Sequence, residues 1–312
     1  MPIVTVVIAA FNASAFVRGA IGSVLAQSLC DLELIVVDDG SADATRAVAA
    51  SIRDPRLRVL ASHHDGPSAA RNLGWRMSSG SRYVAFLDAD DRWDADKLRS
   101  QVALLDENPQ CVATGALMRY VSASGRVLGR AGQLLTPQDR SRIARGELFP
   151  FQLSSLVVRT VALAQTGGFD EALGRLGSED LDLLAKLARV GEIACVPCEL
   201  GSYRIHQNSA MARHRMRINQ AARFVRKRLA ARDEGRELTW DVFAQSEART
   251  WAELQQDAVE SCYRAAALWA AEGRSLRSLA YGGAALLINP RYTLARLYRQ
   301  RFARIPARAT AR

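Results

Sequence analysis

Leu32-Glu33-Leu34-Ile35-Val36-Val37-Asp38-Asp39-Gly40-Ser41 is an apolar run that stops abruptly on two carboxylates and a glycine. A run this short and this apolar reads as a strand buried on both faces of a parallel sheet, and its polar stop as the turn at the carboxyl end. Val4–Ala10 before it reads the same way, as do Leu57–Ala61 and Tyr83–Leu87 after it; the last ends in Asp88-Ala89-Asp90-Asp91. Between these runs the period changes. Phe16, Val17, Ala20, Ile21, Val24 and Leu25 form one stripe of a helix that Asn12 or Ser14 can cap. A second helix is expected near Ala42–Ser51, and a third over Ala69–Met77, opened by Gly66-Pro67-Ser68. Strands and helices alternating at this spacing specify an α/β fold with a mostly parallel sheet flanked by helices. Ligands of such sheets collect at the carboxyl ends of the strands. Here those ends carry Ala10-Phe11-Asn12, Asp38-Asp39 and Asp88–Asp91.

Farther along, a helix is expected from Asp94 to Asn108, a strand near Cys111–Tyr120, and a turn at Ser122–Gly125. Residues 130–150 read as a loop with a short helix, and Ser154–Val158 as another strand. Glu179–Val190 places Leu181, Leu184 and Leu187 on one helical face; Ile193–Pro197 and Ser202–His206 are strand-like. From about Asn208 the pattern is helical throughout, so the chain divides into an α/β domain, 1–210, and a mainly helical C-terminal region, 211–312.

The 312 residues are 49% hydrophobic and 24% charged, which excludes a disordered chain or a collagen-like repeat. No apolar run approaches the roughly 20 residues of a spanning helix. The N-terminus lacks the basic flank of a signal peptide, and five scattered cysteines suit a reducing compartment, so a cytoplasmic protein is expected. Cys195-Val196-Pro197-Cys198 lacks the second pair of a zinc site. Charge is divided unevenly. Residues 1–210 hold 22 basic and 23 acidic side chains, whereas 211–312 hold 20 and 9, so the net +10 resides in the last third. Arg213–Arg228 and Arg291–Arg312 each carry seven bases and no acid. Such a surface is either a solvated helix face or a contact for an anionic partner.

Asp88-Ala89-Asp90-Asp91 directly follows the hydrophobic strand Val84–Leu87. Carboxylates gathered there are costly unless a cation neutralises them, and Asp-x-Asp suits a hard ion such as Mg²⁺ or Mn²⁺ shared with phosphate oxygens. The same residues also suit a polar turn and a helix cap. Glu179-Asp180 opens a helix, where carboxylates are favoured by the dipole, and is equally the type of pair that serves general-base chemistry.

Four further stretches complete a pattern: Gly66-Pro67-Ser68-Ala69-Ala70-Arg71-Asn72, Gly167-Gly168-Phe169-Asp170, Ser178-Glu179-Asp180 and Tyr203-Arg204-Ile205-His206. With Val4–Asn12, Leu34–Ser41 and Phe86–Asp91 they stand in register over residues 3–210, and together they resemble a family 2 glycosyltransferase of the GT-A, Rossmann-like fold. The resemblance implies an inverting, metal-dependent transferase that moves a sugar from a nucleotide donor, UDP-linked, to a glycan or lipid-linked acceptor in surface polysaccharide synthesis. It implies that Ala10, Phe11 and Asn12 line the base pocket, that Asp39 hydrogen-bonds the base, and that Arg71 steadies the base or a phosphate. Asp88 would contact the ribose, Asp90 and His206 the divalent metal, and Asp180 would be the general base with Glu179 next in line. Phe11 departs from the tyrosine common there, losing a hydroxyl and keeping a stacking face. The resemblance also implies contact between the basic C-terminal region, with Leu294, Leu297, Tyr298 and Phe302, and an anionic membrane. Nucleic acid is not expected, because no aromatic stacking platform accompanies the charge. A non-catalytic scaffold would be expected to lose the acidic set, which is intact, and a nucleotidyltransferase to carry a Gly-rich basic signature, which Ala9–Ser14 lacks.

Overall fold

The computed structural model describes residues 1–206, 209, 215–246, 251–271 and 273–294. Within them the chain divides into two compact units. The first comprises residues 1–121, 127–204 and 217–240, and the second 122–126, 205–216 and the chain from 241 onward.

The first unit is built on β1 (Val4–Ala10), β2 (Leu32–Asp38), β3 (Leu57–Ala61) and β4 (Tyr83–Asp88), in the spatial order β3-β2-β1-β4 and all parallel. The interleaved helices are α1 (Val17–Leu25), α2 (Thr45–Ala50) and α3 (Pro67–Arg76). β1 and β2 are buried along nearly their whole length, as continuous apolar strands between two helical layers must be. Because side chains alternate, Val4, Val6 and Ile8 pack with Val17, Ala20, Ile21 and Val24 of α1. Val7 faces the other way, into a cluster with Val84, Phe86, Leu183, Leu184 and Leu187.

Beyond β4 the sheet changes direction. The expectation of a mostly parallel sheet holds for the first four strands, and β8 (Val157–Arg159) then pairs antiparallel with β4. β6 (Cys111–Ser122), β9 (Glu192–Ile205) and the two-residue β5 (Arg92–Trp93) complete the path, with β7 (Val127–Ala131) as a hairpin on β6. The helices here are α4 (Lys97–Glu107), α5 (Asp139–Ala144), α6 (Thr160–Thr166), α7 (Glu171–Gly174), α8 (Glu179–Val190) and α9 (Arg215–Asp233), the last entered from the second unit at Arg217. The two strands expected over 193–206 are one continuous strand. Its Gly201 and Ser202 pair with the short β5, which precedes the helix expected from Asp94 and delays it to Lys97.

The parallel register sets Ala10 beside Asp38 and Ala9 beside Asp88, so three strand ends lie in one row. Close approach of α3 to β1 keeps that row tight. A Cβ added at Gly74 would lie 2.4 Å from Cγ1 of Val7, which is wholly buried. Gly74→Ala is expected to cost about 1–3 kcal/mol through overpacking, read as a lower midpoint in urea unfolding; an unchanged midpoint would show that this contact is loose.

Candidate active site

At the strand ends the first two loops are sewn together. Asn12 adopts a left-handed conformation (φ 49°), its Oδ1 accepts from the Ala42 amide at 2.9 Å, and its own amide donates to Ser41 Oγ at 2.9 Å. The Ser14 amide donates to Asp43. Neither Asn12 nor Ser14 therefore caps α1, contrary to expectation: each makes its bonds across to residues 41–43. Ala10 is buried at the end of β1, and the Phe11 ring is 47% exposed beside it.

The two neighbouring acids at the end of β2 differ. Asp39 is buried, and its carboxylate accepts from Ser62 Oγ (2.6 Å), the Asp65 amide (2.9 Å) and the Gly66 amide (2.9 Å). It thereby anchors the loop between β3 and α3. Asp38 is also buried, and its Oδ1 has no hydrogen-bond partner. At the start of α2, Asp43 accepts from the Thr45 amide. The anchored loop brings His64 over the site, its ring 4.4 Å from that of Phe11 at a tilt of 32°. His64 itself has φ 62°, and its carbonyl accepts from Arg175. Nothing in the local sequence signals that Asp39, 25 residues earlier, draws His64 back.

Arg71, on α3, is buried. One Nη donates to Asp88 at 2.8 Å and the other to Glu179 at 2.7 Å, and the guanidinium lies over the Phe169 ring. Burial opposes its charge, but the two carboxylates outweigh burial and hold it above its usual pKa. The guanidinium thus joins the end of β4 to the start of α8. Asn72 beside it grips Phe169 by both backbone groups, donating to the carbonyl (2.9 Å) and accepting from the amide (3.0 Å). The Ala-Arg-Asn and Gly-Gly-Phe-Asp motifs are thus one clasp.

The turn after β4 holds three acids with different surroundings. Asp90 is half-buried, and its carbonyl accepts from Arg204 Nε at 3.0 Å. Asp91 is buried and accepts from Ser154 Oγ and from the Arg204 amide (2.7 Å). Burial, and then the charges of Asp90 and Asp88, push the Asp91 carboxyl well above the usual range. Ser154 also accepts from the Asp88 amide, and its carbonyl from the Trp93 indole, so this one serine spans the acidic turn. Hard oxygen donors gathered in one turn are the donor type that a divalent cation takes.

α8 begins under strain. Gly177 (φ 93°) and Ser178 (φ 65°) are both left-handed, and Ser178 Oγ donates to the carbonyl of Ile218. A non-glycine residue held this way costs on the order of 1–3 kcal/mol and is common where a site must be aimed. The next residues are Glu179, on Arg71, and Asp180, whose Oδ1 accepts from the Leu181 amide. Burial first, then the Glu179 charge, raise the Asp180 carboxyl to about 7. His206 follows β9 and belongs to the second unit; it is half-buried, and its carbonyl accepts from Ser209 Oγ. Cys195 is half-buried and Cys198 exposed, both on β9, and among the described residues no three potential ligands cluster as a metal cage.

The family model described as glycosyl transferase family 2 matches residues 5–157, a stretch that contains the ends of β1 and β2, Arg71 and the acidic turn. The chain belongs to that family. The succinoglycan biosynthesis protein ExoO of Rhizobium meliloti is 36% identical over 220 residues, covering 67% of this chain and 62% of that protein. The Escherichia coli protein WfgD, named as a UDP-Glc:alpha-D-GlcNAc-diphosphoundecaprenol beta-1,3-glucosyltransferase, is 36% identical over 107 residues, or 34% of this chain and 42% of its own. The chain therefore spans about two fifths to three fifths of the length of these relatives. Among solved structures, residues 1–349 of S. aureus TarS in complex with UDP share the fold, with a TM-score of 0.55 at 16% identity over 95% of this chain and 92% of that one.

Proposed function

We propose that this family 2 chain is an inverting glycosyltransferase that takes a sugar from a UDP-linked donor, with a divalent metal, and passes it to a hydroxyl of a glycan or lipid-linked acceptor in surface polysaccharide synthesis. The observation that carries the reading is Arg71, which ties an acid of the β4 turn to the start of α8 and so holds the donor-side carboxylates and Asp180 in one site. The names of the relatives support the class: ExoO serves succinoglycan synthesis, WfgD is named for a UDP-glucose donor and a lipid-linked acceptor, and TarS has been crystallised with UDP and with UDP-GlcNAc. In this reading the protein works in the cytoplasm, at the face of an anionic membrane.

The base stacks on the exposed Phe11 ring between Ala10 and Asn12. Asp39 offers its remaining lone pair to a base N–H, and the unpaired Asp38 oxygen lies next along the chain. Asp88 keeps one oxygen for the ribose while Arg71 holds the other. Asp90 would hold a divalent ion, for which the sequence pattern offers His206 as a further ligand, and such an ion when bound would supply neutralisation of the departing nucleoside diphosphate. Asp180 takes the proton of the acceptor hydroxyl as that oxygen attacks the anomeric carbon opposite the leaving group, with Glu179 held off by its bond to Arg71. The direction of the Asp180 shift matters here, since a carboxylate of raised pKa is the stronger base.

The donor half of this reading is tested by thermal unfolding with UDP-, GDP-, dTDP- and CMP-sugars, with and without Mn²⁺. A UDP-sugar at about 100 times its Kd should stabilise by about 2.7 kcal/mol, raising Tm by roughly 5 °C only with metal present, and Asp90→Ala should abolish the rise. A rise unaffected by metal or by Asp90→Ala would contradict the site. The acceptor half is tested by pH. Because the base must be ionised, turnover should fall about tenfold per pH unit below about 7 and level off above it. Asp180→Asn should lose a factor of at least about 100 while keeping the donor-induced rise in Tm. Full turnover at pH 5, or an active Asp180→Asn, would remove Asp180 from this role.

A further inference from the structure

The second unit contains α11 (Trp251–Ala271) and α12 (Ser275–Ile288), preceded by the short α10 (Trp240–Ser246), whose first residue closes the first unit. α12 is amphipathic the wrong way round. Toward α11 it turns small residues: Ala285 is buried with Val259 and Tyr263, Ser278 Oγ donates to the Ala266 carbonyl, and Gly282 approaches the Ala266 methyl. Away from α11 it turns its leucines. Leu276, Leu279 and Leu287 are 85%, 72% and 88% exposed, and Leu286 and Leu294 are exposed as well. At 100° per residue the four leucines within the helix, Leu276, Leu279, Leu286 and Leu287, share one side with Gly283, and no polar side chain interrupts them; Leu294 lies beyond the break at Asn289. A solvent-facing stripe of this composition is an interaction surface, not scattered exposure.

Charge chooses the occupant. Residues 273–294 hold Arg274, Arg277 and Arg291 and no carboxylate. Arg274 and Arg277 both lie over the Trp269 ring, at 5.3 and 4.6 Å. A second copy of this chain seated face to face would bring two sets of arginines together with no local acid to offset them. A bilayer with anionic headgroups offers apolar depth for the leucines, negative charge for the arginines, and the interface that tryptophan prefers. At 14 residues α12 is about 21 Å long, too short to cross a hydrocarbon core of about 30 Å, and none of the described helices is long and apolar enough to span a membrane. We propose that the exposed leucine face of α12, flanked by Arg274, Arg277 and Arg291, lies in the interface plane of an anionic lipid bilayer and holds the protein there peripherally. This deepens the membrane part of the functional reading. Vesicle binding is measured without donor or turnover, so failure here and failure of the transfer chemistry are distinguishable.

The test is co-sedimentation of the full chain with phosphatidylcholine vesicles, with and without phosphatidylglycerol, for wild type and for Leu276→Ser/Leu279→Ser/Leu287→Ser. The three positions are exposed, so the variant should keep the wild-type Tm, checked in parallel. Wild type is expected to partition onto the phosphatidylglycerol vesicles and to be released by high salt. The triple variant should bind at least about tenfold more weakly. Equal binding by the variant, or no wild-type binding to anionic vesicles, overturns the proposal. So does a wild-type dimer in size-exclusion chromatography that the variant converts to monomer, which would assign the face to a second copy.

Discussion

A guanidinium with little access to water, flanked by two carboxylates from distant parts of the chain, is the interaction on which the site depends. Arg71 reaches Asp88, at the end of β4, and Glu179, at the start of α8, residues separated by 91 positions in the sequence. Desolvating three charges is expensive, and it is recovered only where geometry is good and every partner stays in place. The arrangement is therefore close to all-or-none: removing the cation would leave two acids facing each other in a poorly hydrated space. The Asn72 grip on Phe169, one residue along α3, fixes the same helix to the same segment by a second, uncharged route.

From that bridge the chemistry of the neighbours follows. Parallel register lines up the ends of β1, β2 and β4, so acids accumulate on one edge. Asp39 is relieved by loop amides, and Asp88 by Arg71. Asp91 and Asp180 are left with raised proton affinities for one shared reason, burial beside other carboxylates. One is locked by Ser154 and Arg204, whereas the other sits at a strained helix start and accepts from the amide of its own helix. The same physical shift thus falls on two acids with very different surroundings.

Much of this was legible in the sequence. Continuous apolar runs marked β1 to β4, and their polar stops marked the loaded edge, because burial on both faces leaves a simple pattern. Glu179–Val190 was legible to the residue. What escaped was decided by partners far away in the chain. Asn12 and Ser14 are good capping residue types, yet the 41–43 turn claims them; β5 has two residues and exists only because β9 passes alongside. That Arg71 bridges Asp88 and Glu179 is likewise decided by partners 17 and 108 positions away in the chain. The leucine face of α12 was not legible either, because it is the small residues packed against α11 that show which side faces out. Asn208 and residues 295–312, with Leu297, Tyr298 and Phe302, lie outside the described residues.

The most direct measurement is a double-mutant cycle on the bridge by urea unfolding, using Arg71→Met, Glu179→Gln and the pair. The account predicts that Arg71→Met alone costs about 3 kcal/mol or more, and that much of the Glu179→Gln cost disappears once Arg71 is gone, giving a coupling of at least about 1 kcal/mol. Costs that add to within about 0.5 kcal/mol would contradict it, because two independent residues cannot be what joins the β4 turn to α8.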